Sequence, residues 1–319
     1  MTGSNPPFDT HVRRYGKAAI DEAAALIGRG LPVAIPTETV YGLAADSTDA
    51  QAVARIYAAK GRPSFNPLIV HVADRAAAEA IAELNPIAHR LALAFWPGPL
   101  TMVLPRRADS GIASLATAGL DTIAIRCPAH EAMQALLAAT GKPLAAPSAN
   151  ASGRISPTRA EHVLASLDGR IPLIVDAGPT RRGLESTIVA PETDRVRLLR
   201  PGPITAEDIA EAAGLPIASA GSGSIEAPGQ LASHYAPSKP VRLNATDRRV
   251  GEWLIGFGPV TGDATLSAAG DLSEAAACLF DLLHQADASH AASIAVAPVP
   301  DTGLGRAIND RLGRAAVRE

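Results

Sequence analysis

Short apolar runs alternate with stretches of helical spacing along most of this chain. Residues 17–30 place Ile20, Ala24 and Ile27 on one helical face, with Gly30 as a natural stop. Residues 31–35 are an apolar run of strand length that Pro36 halts. Tyr41-Gly42-Leu43 reads as a tight turn or a close backbone approach at Gly42. Residues 49–59 carry Val53, Ile56 and Tyr57 at helical spacing; Lys60-Gly61 and Pro63 end that helix before a strand at 68–72. Helices are expected at 74–84 and 86–95, opened by Asp74 as a cap and Pro86 at the first position. A strand at 101–104, an apolar strand leading to Arg126, a helix at 131–139 and a short strand at 144–146 follow. Residues 147–158 form a loop dense in hydroxyls and glycine, and Ser156-Pro157-Thr158 is expected to cap the next helix. Strands at 173–175, 185–189 and 196–199 and a helix at 205–213 complete this part.

At Gly214 the pattern stops. Residues 214–240 are rich in glycine, serine and proline and read as a linker. Beyond it, strands at 253–257 and 293–297 alternate with helices at 273–284 and 306–316, the pattern of a small parallel α/β unit. The expected division is a first domain over 1–213 with a loose tail through Pro7, a linker over 214–240 and a smaller domain over 241–319. Gly303-Leu304-Gly305-Arg306 lacks a full dinucleotide fingerprint and reads as structural.

Composition narrows the picture. A length of 319 residues suits two domains, and 47% hydrophobic residues exclude wholesale disorder. A formal net charge of −3 marks no global nucleic-acid binder. Cys127 and Cys278 match no metal-ligand spacing and read as reduced structural residues. The N-terminus lacks the apolar run of a signal peptide and no stretch reaches membrane-span length, so a cytoplasmic protein with no membrane partner is expected.

Polar groups sit where buried strands would not want them. Thr37, Glu38 and Thr39 follow a strand end, the usual place for ligands in open α/β sheets. Lys60 and Arg62 stand at the mouth of the next strand, flanked by Asn66 and His71. Two cations, an amide, an imidazole and hydroxyls suit an anion with an amino acid or nucleotide beside it. Taken singly, each is as well read as a solvated helix end or a satisfied core histidine. Arg126, in an apolar strand, needs a partner. Asp121 or Glu131 could supply it, or Arg126 could clamp a substrate carboxylate.

The strings that carry these residues are P-T-E-T-V-Y-G-L, K-x-R-P-x-x-N-P-L-I-V-H, W-P-G-P-L-T, P-S-A-N-x-S-G-x-x-S-P-T, G-x-E-S-T and L-L-R-P-G. In this order they resemble the signature of YrdC-type threonylcarbamoyl-AMP synthases. The linker string P-G…H-Y-A-P is similar to that of the two-domain form, in which the linker crosses the active site. Gln230-Leu231-Ala232-Ser233 stand where some members carry Met-Lys-Tyr, so a lysine contact there is not carried over.

The resemblance implies an α/β fold: a twisted, mixed, open-sheet domain around a basic cleft, followed by a smaller Rossmann-like domain. It implies that L-threonine, bicarbonate or CO₂, and ATP become threonylcarbamoyl-AMP and pyrophosphate, for modification of the adenosine beside the anticodon of tRNA. By motif position, Thr39, His71, Arg126 and Ser186 contact threonine. Lys60, Arg62, Asn66, Thr122, Ser148, Ser156 and Arg200 contact ATP, with Lys60 and Arg62 the catalytic cations. His234 and Tyr235 reach the outer phosphates from the linker. Mg²⁺ is expected on the nucleotide phosphates without a protein cage. The product passes to a tRNA threonylcarbamoyl transferase complex, and stable tRNA binding by this chain is not required. Two rivals are a carbamoyl-adenylate enzyme of hydrogenase maturation, whose zinc-binding cysteine clusters are missing here, and a non-catalytic RNA-binding module.

Overall fold

A computed structural model describes residues 8–219, 226–228 and 234–317 of the chain. The first unit runs β1 (His11–Arg14), α1 (Lys17–Gly28), β2 (Val33–Pro36), β3 (Tyr41–Asp46), α2 (Ala50–Lys60), β4 (Ile69–His71), α3 (Arg75–Glu79), α4 (Pro86–Phe95) and β5 (Leu100–Pro105). It continues through β6 (Thr122–Arg126), α5 (Glu131–Thr140), β7 (Leu144–Ala145), α6 (Ala160–Leu167), β8 (Leu173–Asp176), β9 (Thr187–Pro191), β10 (Val196–Arg200), α7 (Ala206–Ala213) and β11 (Ile217–Ser219). Its eleven described strands form one mixed sheet in the order β1-β8-β2-β3-β7-β4-β6-β5-β9-β10-β11. The second unit holds β12 (Val241–Arg242), β13 (Glu252–Gly256), β14 (Ala264–Thr265), α8 (Leu272–Ala288), β15 (Ser293–Val296) and α9 (Gly305–Ala316). Its four described strands are all parallel, in the order β12-β15-β13-β14.

Strand alternation decides what each face of the large sheet covers. Val33 and Ile35 of β2 and Leu173 and Val175 of β8 pack under α1 and α5, whose alanines let the helices sit close. On β4, β5, β6 and β9, Val70, Met102, Ile125 and Val189 join the main core with α2 and α4. Their neighbours Ile69, Val103, Ala124, Ile188 and Ala190 line the other face, as an apolar floor with Leu199. Ala227, from the connection between the units, packs on that floor. The floor ends in His71, Thr101 and Arg126, which are neighbours in the strand register.

The structure departs from the sequence pattern at several places. Tyr41–Asp46 is a buried strand antiparallel to β2, and the tight turn lies one step earlier, with the Thr37 amide donating to the Val40 carbonyl at 3.1 Å. Gly42 is instead a close approach, since a Cβ there would lie 3.3 Å from that of Ala146. The helix expected over 74–84 is only α3; beyond it Glu83 donates to the Pro105 carbonyl, drawing the chain onto the end of β5. Thr158 does not cap α6: Arg159 holds that position, and the Thr158 amide turns to Nδ1 of His162 at 3.3 Å. Ile217–Ser219, inside the stretch expected as linker, pairs with β10 as an edge strand. β1, β12 and β14 were not legible in the pattern; β12 and β14 have two residues each.

The two units share a core. The apolar cluster of α8, α9 and β15 also contains Val40, Ile155, Leu184 and Tyr235, all buried. Gly183 makes this packing possible, because a Cβ at its left-handed backbone (φ 68) would fall 2.3 Å from the Ala276 carbonyl oxygen. Arg159 pairs with Asp281 at 2.7 Å, and the His284 ring lies 3.2 Å from the Ser156 carbonyl.

Candidate active site

The cleft stands over the floor's polar end, with Thr37, Thr39, His71 and Arg126 on one side and Arg62, Ser148, Glu185, Ser186, Arg200, His234 and Tyr235 on the other; the space between them, open solvent included, is about 540 Å³.

On the first side Arg126 is the centre. Its Nη1 donates to Thr39 Oγ1 at 2.9 Å and its Nε to the Gly98 carbonyl at 3.3 Å. Its ion partner is Glu38, with Nη2 2.7 Å from Oε1, and not Asp121 or Glu131. That approach is not aligned as a hydrogen bond, so both Glu38 oxygens and Nη2 keep open bonding capacity. Thr39 Oγ1 also lies 2.8 Å from Thr37 Oγ1. Ser186 Oγ lies 2.7 Å from Thr101 Oγ1. Burial, with Arg126 close by, pushes the His71 imidazole down to about 3, so the ring is neutral at physiological pH.

The second side is built from cations fixed by carbonyls. Arg62 donates to the carbonyls of Asn66 at 3.2 Å and Pro67 at 2.9 Å, and burial lowers it to about 10. Arg200 donates to the Ser186 carbonyl at 2.9 Å, to Ser186 Oγ at 3.2 Å and to the Pro228 carbonyl at 3.4 Å. Lys60 differs. Its ammonium donates to the carbonyls of Ser148, at 2.6 Å, and Asn150, and burial depresses its pKa well below the ordinary lysine range. His234 and Tyr235 cover the cleft; burial, then Arg62, Lys60, Arg200 and Arg311, hold His234 neutral.

Thr39, Arg62, His71, Arg126, Ser148, Ser186, Arg200, His234 and Tyr235 therefore meet on one cavity wall. Lys60, Asn66, Thr122 and Ser156 are not on that wall. Thr122 starts β6 on the face that Ala124 and Arg126 share, at the far end of the floor. Ser156 is wholly buried and donates a short hydrogen bond to Glu185 Oε1. Asn66 is buried with neither amide atom paired among the described residues. The Nδ1 atoms of His71 and His234 and the Tyr235 hydroxyl share that condition. Buried polar atoms are normally paired, so this concentration of open ones marks a place built for a ligand. Five buried cations (Lys60, Arg62, Arg126, Arg200 and Arg311) meet two buried carboxylates, Glu38 and Glu185, so the ligand is anionic.

Two contributors were not singled out in the sequence. Glu185 lines the cavity, and Arg311 of α9 reaches it with Nε 2.8 Å from Oε2. One signal was available for Arg311: it interrupts the apolar stripe Ile308, Leu312, Ala315 of an otherwise amphipathic helix.

Comparison with known proteins decides the family. Residues 25–202 match the family described as telomere recombination, which groups Sua5, YciO and YrdC, and residues 204–317 match the threonylcarbamoyl-AMP synthase C-terminal domain. The chain belongs to the two-domain threonylcarbamoyl-AMP synthase family. The threonylcarbamoyl-AMP synthase of Bacillus subtilis is 42% identical over 93% of this chain and 92% of its own. The crystal structure of Pyrococcus abyssi Sua5 complexed with L-threonine superposes with a TM-score of 0.87 at 38% identity, covering 96% of this chain and 97% of that one. A Mycobacterium tuberculosis relative, 39% identical, is covered over 97% of its length by only 66% of this chain.

The donor set does not fit a protein-held metal. Among the described residues no group of three His, Cys, Asp or Glu side chains is arranged for one, and Glu185 is committed to Ser156 and Arg311. No helix of the described residues is long and apolar enough to cross a membrane.

Proposed function

We propose that the chain condenses L-threonine, bicarbonate and ATP into threonylcarbamoyl-AMP, the activated intermediate for threonylcarbamoyl modification of tRNA. Bicarbonate takes up a proton and loses water to give CO₂. The threonine amine, having lost a proton, bonds to its carbon, and a second proton leaves to give a carbamate. A carbamate oxygen then attacks the α-phosphorus of ATP, and the bond to the β-phosphate breaks to release pyrophosphate.

The supporting observation is the junction at Ser186. Its hydroxyl lies within hydrogen-bond reach of Thr101 next to Arg126 and of Arg200 on the cationic side, so an amino acid and a nucleotide would meet there. Arg126 with Thr39 and His71 takes the threonine carboxylate and hydroxyl. Arg62, Asn66, Ser148 and Arg200 take the nucleotide, with Thr122 at the outer end of the floor and Ser156 beneath Glu185. His234 and Tyr235 hold the outer phosphates as a cover over the cleft. Lys60 contributes through the Ser148–Asn150 backbone it fixes. Joining two anions and stabilising a leaving pyrophosphate needs positioned donors and cations more than a covalent nucleophile. Mg²⁺ enters on the nucleotide as part of the substrate, and the product passes to a cytoplasmic tRNA transferase. Burial of the cations argues against an RNA-binding surface: Arg62, Arg126 and Arg200 are 8%, 3% and 4% exposed.

Pyrophosphate release from ATP, with threonine and bicarbonate omitted in turn, tests this. Release requiring both is expected, with serine a poor substitute. Release without threonine would assign the cleft to another adenylating reaction.

A further inference from the structure

Arg311 is a costly residue in a place where the fold offers cheaper ones. It is 0% exposed and shares its helix face with Ile308, Leu312 and Ala315. A buried arginine is a net loss to stability unless every donor is paired, and apolar residues of similar size do as well or better. Two of its contacts leave its own unit: Nε donates to Glu185 Oε2 at 2.8 Å and Nη2 to the Pro201 carbonyl at 3.0 Å. Nη1 stays at home on Asp310 at 2.6 Å. The guanidinium also sits 5.2 Å from the centre of the Tyr235 ring.

Its main partner explains the arrangement. Among the described residues lining the cleft, Glu185 is the one carboxylate. An isolated carboxylate on the wall of a polyphosphate site would repel its ligand. Glu185 is bound on both oxygens instead, Oε2 by Arg311 and Oε1 by the Ser156 hydroxyl. We propose that Arg311 is a positioning residue for the nucleotide: it cancels the charge of Glu185 and locks the Ser156–Glu185 pair, so that the second domain completes the ATP half of the site. This rests on the cleft being a nucleotide site. It gives the C-terminal unit a part in the site itself.

The groups facing Glu185 are Arg311 and Asp310 of α9, Arg200 of β10, Ser156 and Tyr235. Burial works to raise its carboxyl; Arg311, then Arg200 and Ser156, outweigh burial and hold it below the usual range. Arg311 is the largest influence opposing burial, so its removal shifts the Glu185 carboxyl upward.

The test is calorimetric titration of the full-length protein with ATP and, separately, with threonine, for Arg311→Met, Arg311→Lys, Glu185→Gln and the double variant Arg311→Met/Glu185→Gln. Arg311→Met is expected to weaken ATP about tenfold or more, as loss of one partner of a buried charge pair does. Threonine affinity should stay within about twofold, a change worth well under 1 kcal/mol. Adding Glu185→Gln should restore most of the ATP affinity, because the uncompensated carboxylate is gone. The Arg311→Met defect should shrink from about pH 8 to about pH 6, as an unpaired, buried Glu185 takes up a proton. Arg311→Lys should lie between, and it keeps the proposal testable if the methionine variant fails to fold. Equal losses of ATP and threonine affinity, or no rescue by Glu185→Gln, would overturn the proposal. Titration needs no turnover, so a wild type that binds ATP but releases no pyrophosphate refutes only the reaction; one that binds no ATP refutes both.

Discussion

At the scale of single residues, the cleft works by fixing cations in advance. Arg126 is held by Gly98 and Thr39 and faces Glu38, so its fork is oriented before any carboxylate arrives. A lysine would keep the charge and lose the fork. Arg126→Lys should therefore raise the threonine KM by about ten- to a hundredfold with ATP affinity little changed, since bidentate charged contacts contribute roughly 1.5–3 kcal/mol. Steady-state pyrophosphate release at varied threonine and varied ATP separates the two, and an equal rise in both constants would refute the clamp. The need of Arg126 for a partner was legible in the sequence, but its identity was not: Glu38 lies on a turn whose position depends on β3 pairing with β2. Lys60 carries the converse lesson. Its place beside Arg62 suggested a phosphate contact, whereas its ammonium ties down the carbonyls of the Ser148–Asn150 loop.

At the scale of elements, the seam between α6 and α8 is one place where pH acts on stability. His162 of α6 stacks on His284 of α8 with ring centres 3.8 Å apart, and Asp281 lies 3.5 Å from its Nε2. Burial, then His284, pushes His162 down to about 3. Unfolded, it takes up a proton near its ordinary value of about 6.5. The folded pKa is depressed, so below about 6.5 the unfolded state binds more protons, and stability falls as the pH drops toward 3 at about 1.4 kcal/mol per unit. His162→Gln should flatten the decline by about that slope in urea melts at stepped pH; an unchanged slope would refute it. Long elements such as α1, α2, α4 and α5 were legible from spacing. β12 and β14 were not, because two residues show no period, and α3 stops early because tertiary pairing of Glu83 with the end of β5 overrides a helical sequence.

At the scale of the molecule, the sequence pattern divided the chain into two units but did not show that they share a core. Val40, Ile155 and Leu184, each beside a residue of the cleft or its supporting shell, are covered by α8, α9 and Tyr235. A chain ending at Gly214 loses that cover together with Arg311, His234 and Tyr235. It should melt lower and lose turnover far more than threonine affinity, because Arg126 and its partners all lie before Gly214. Thermal melts with threonine titration check this, and unchanged turnover would remove the second unit from the mechanism.

The backbone at Tyr235 has φ 64, in the left-handed region, although the residue carries a large side chain. Holding a non-glycine residue there costs about 1–2 kcal/mol. The packing around Tyr235 therefore holds it against its own backbone preference. A glycine there would relieve the torsion but give up the ring that lies against Arg311 and Phe280, so the contact between the two units is kept at the expense of local backbone comfort.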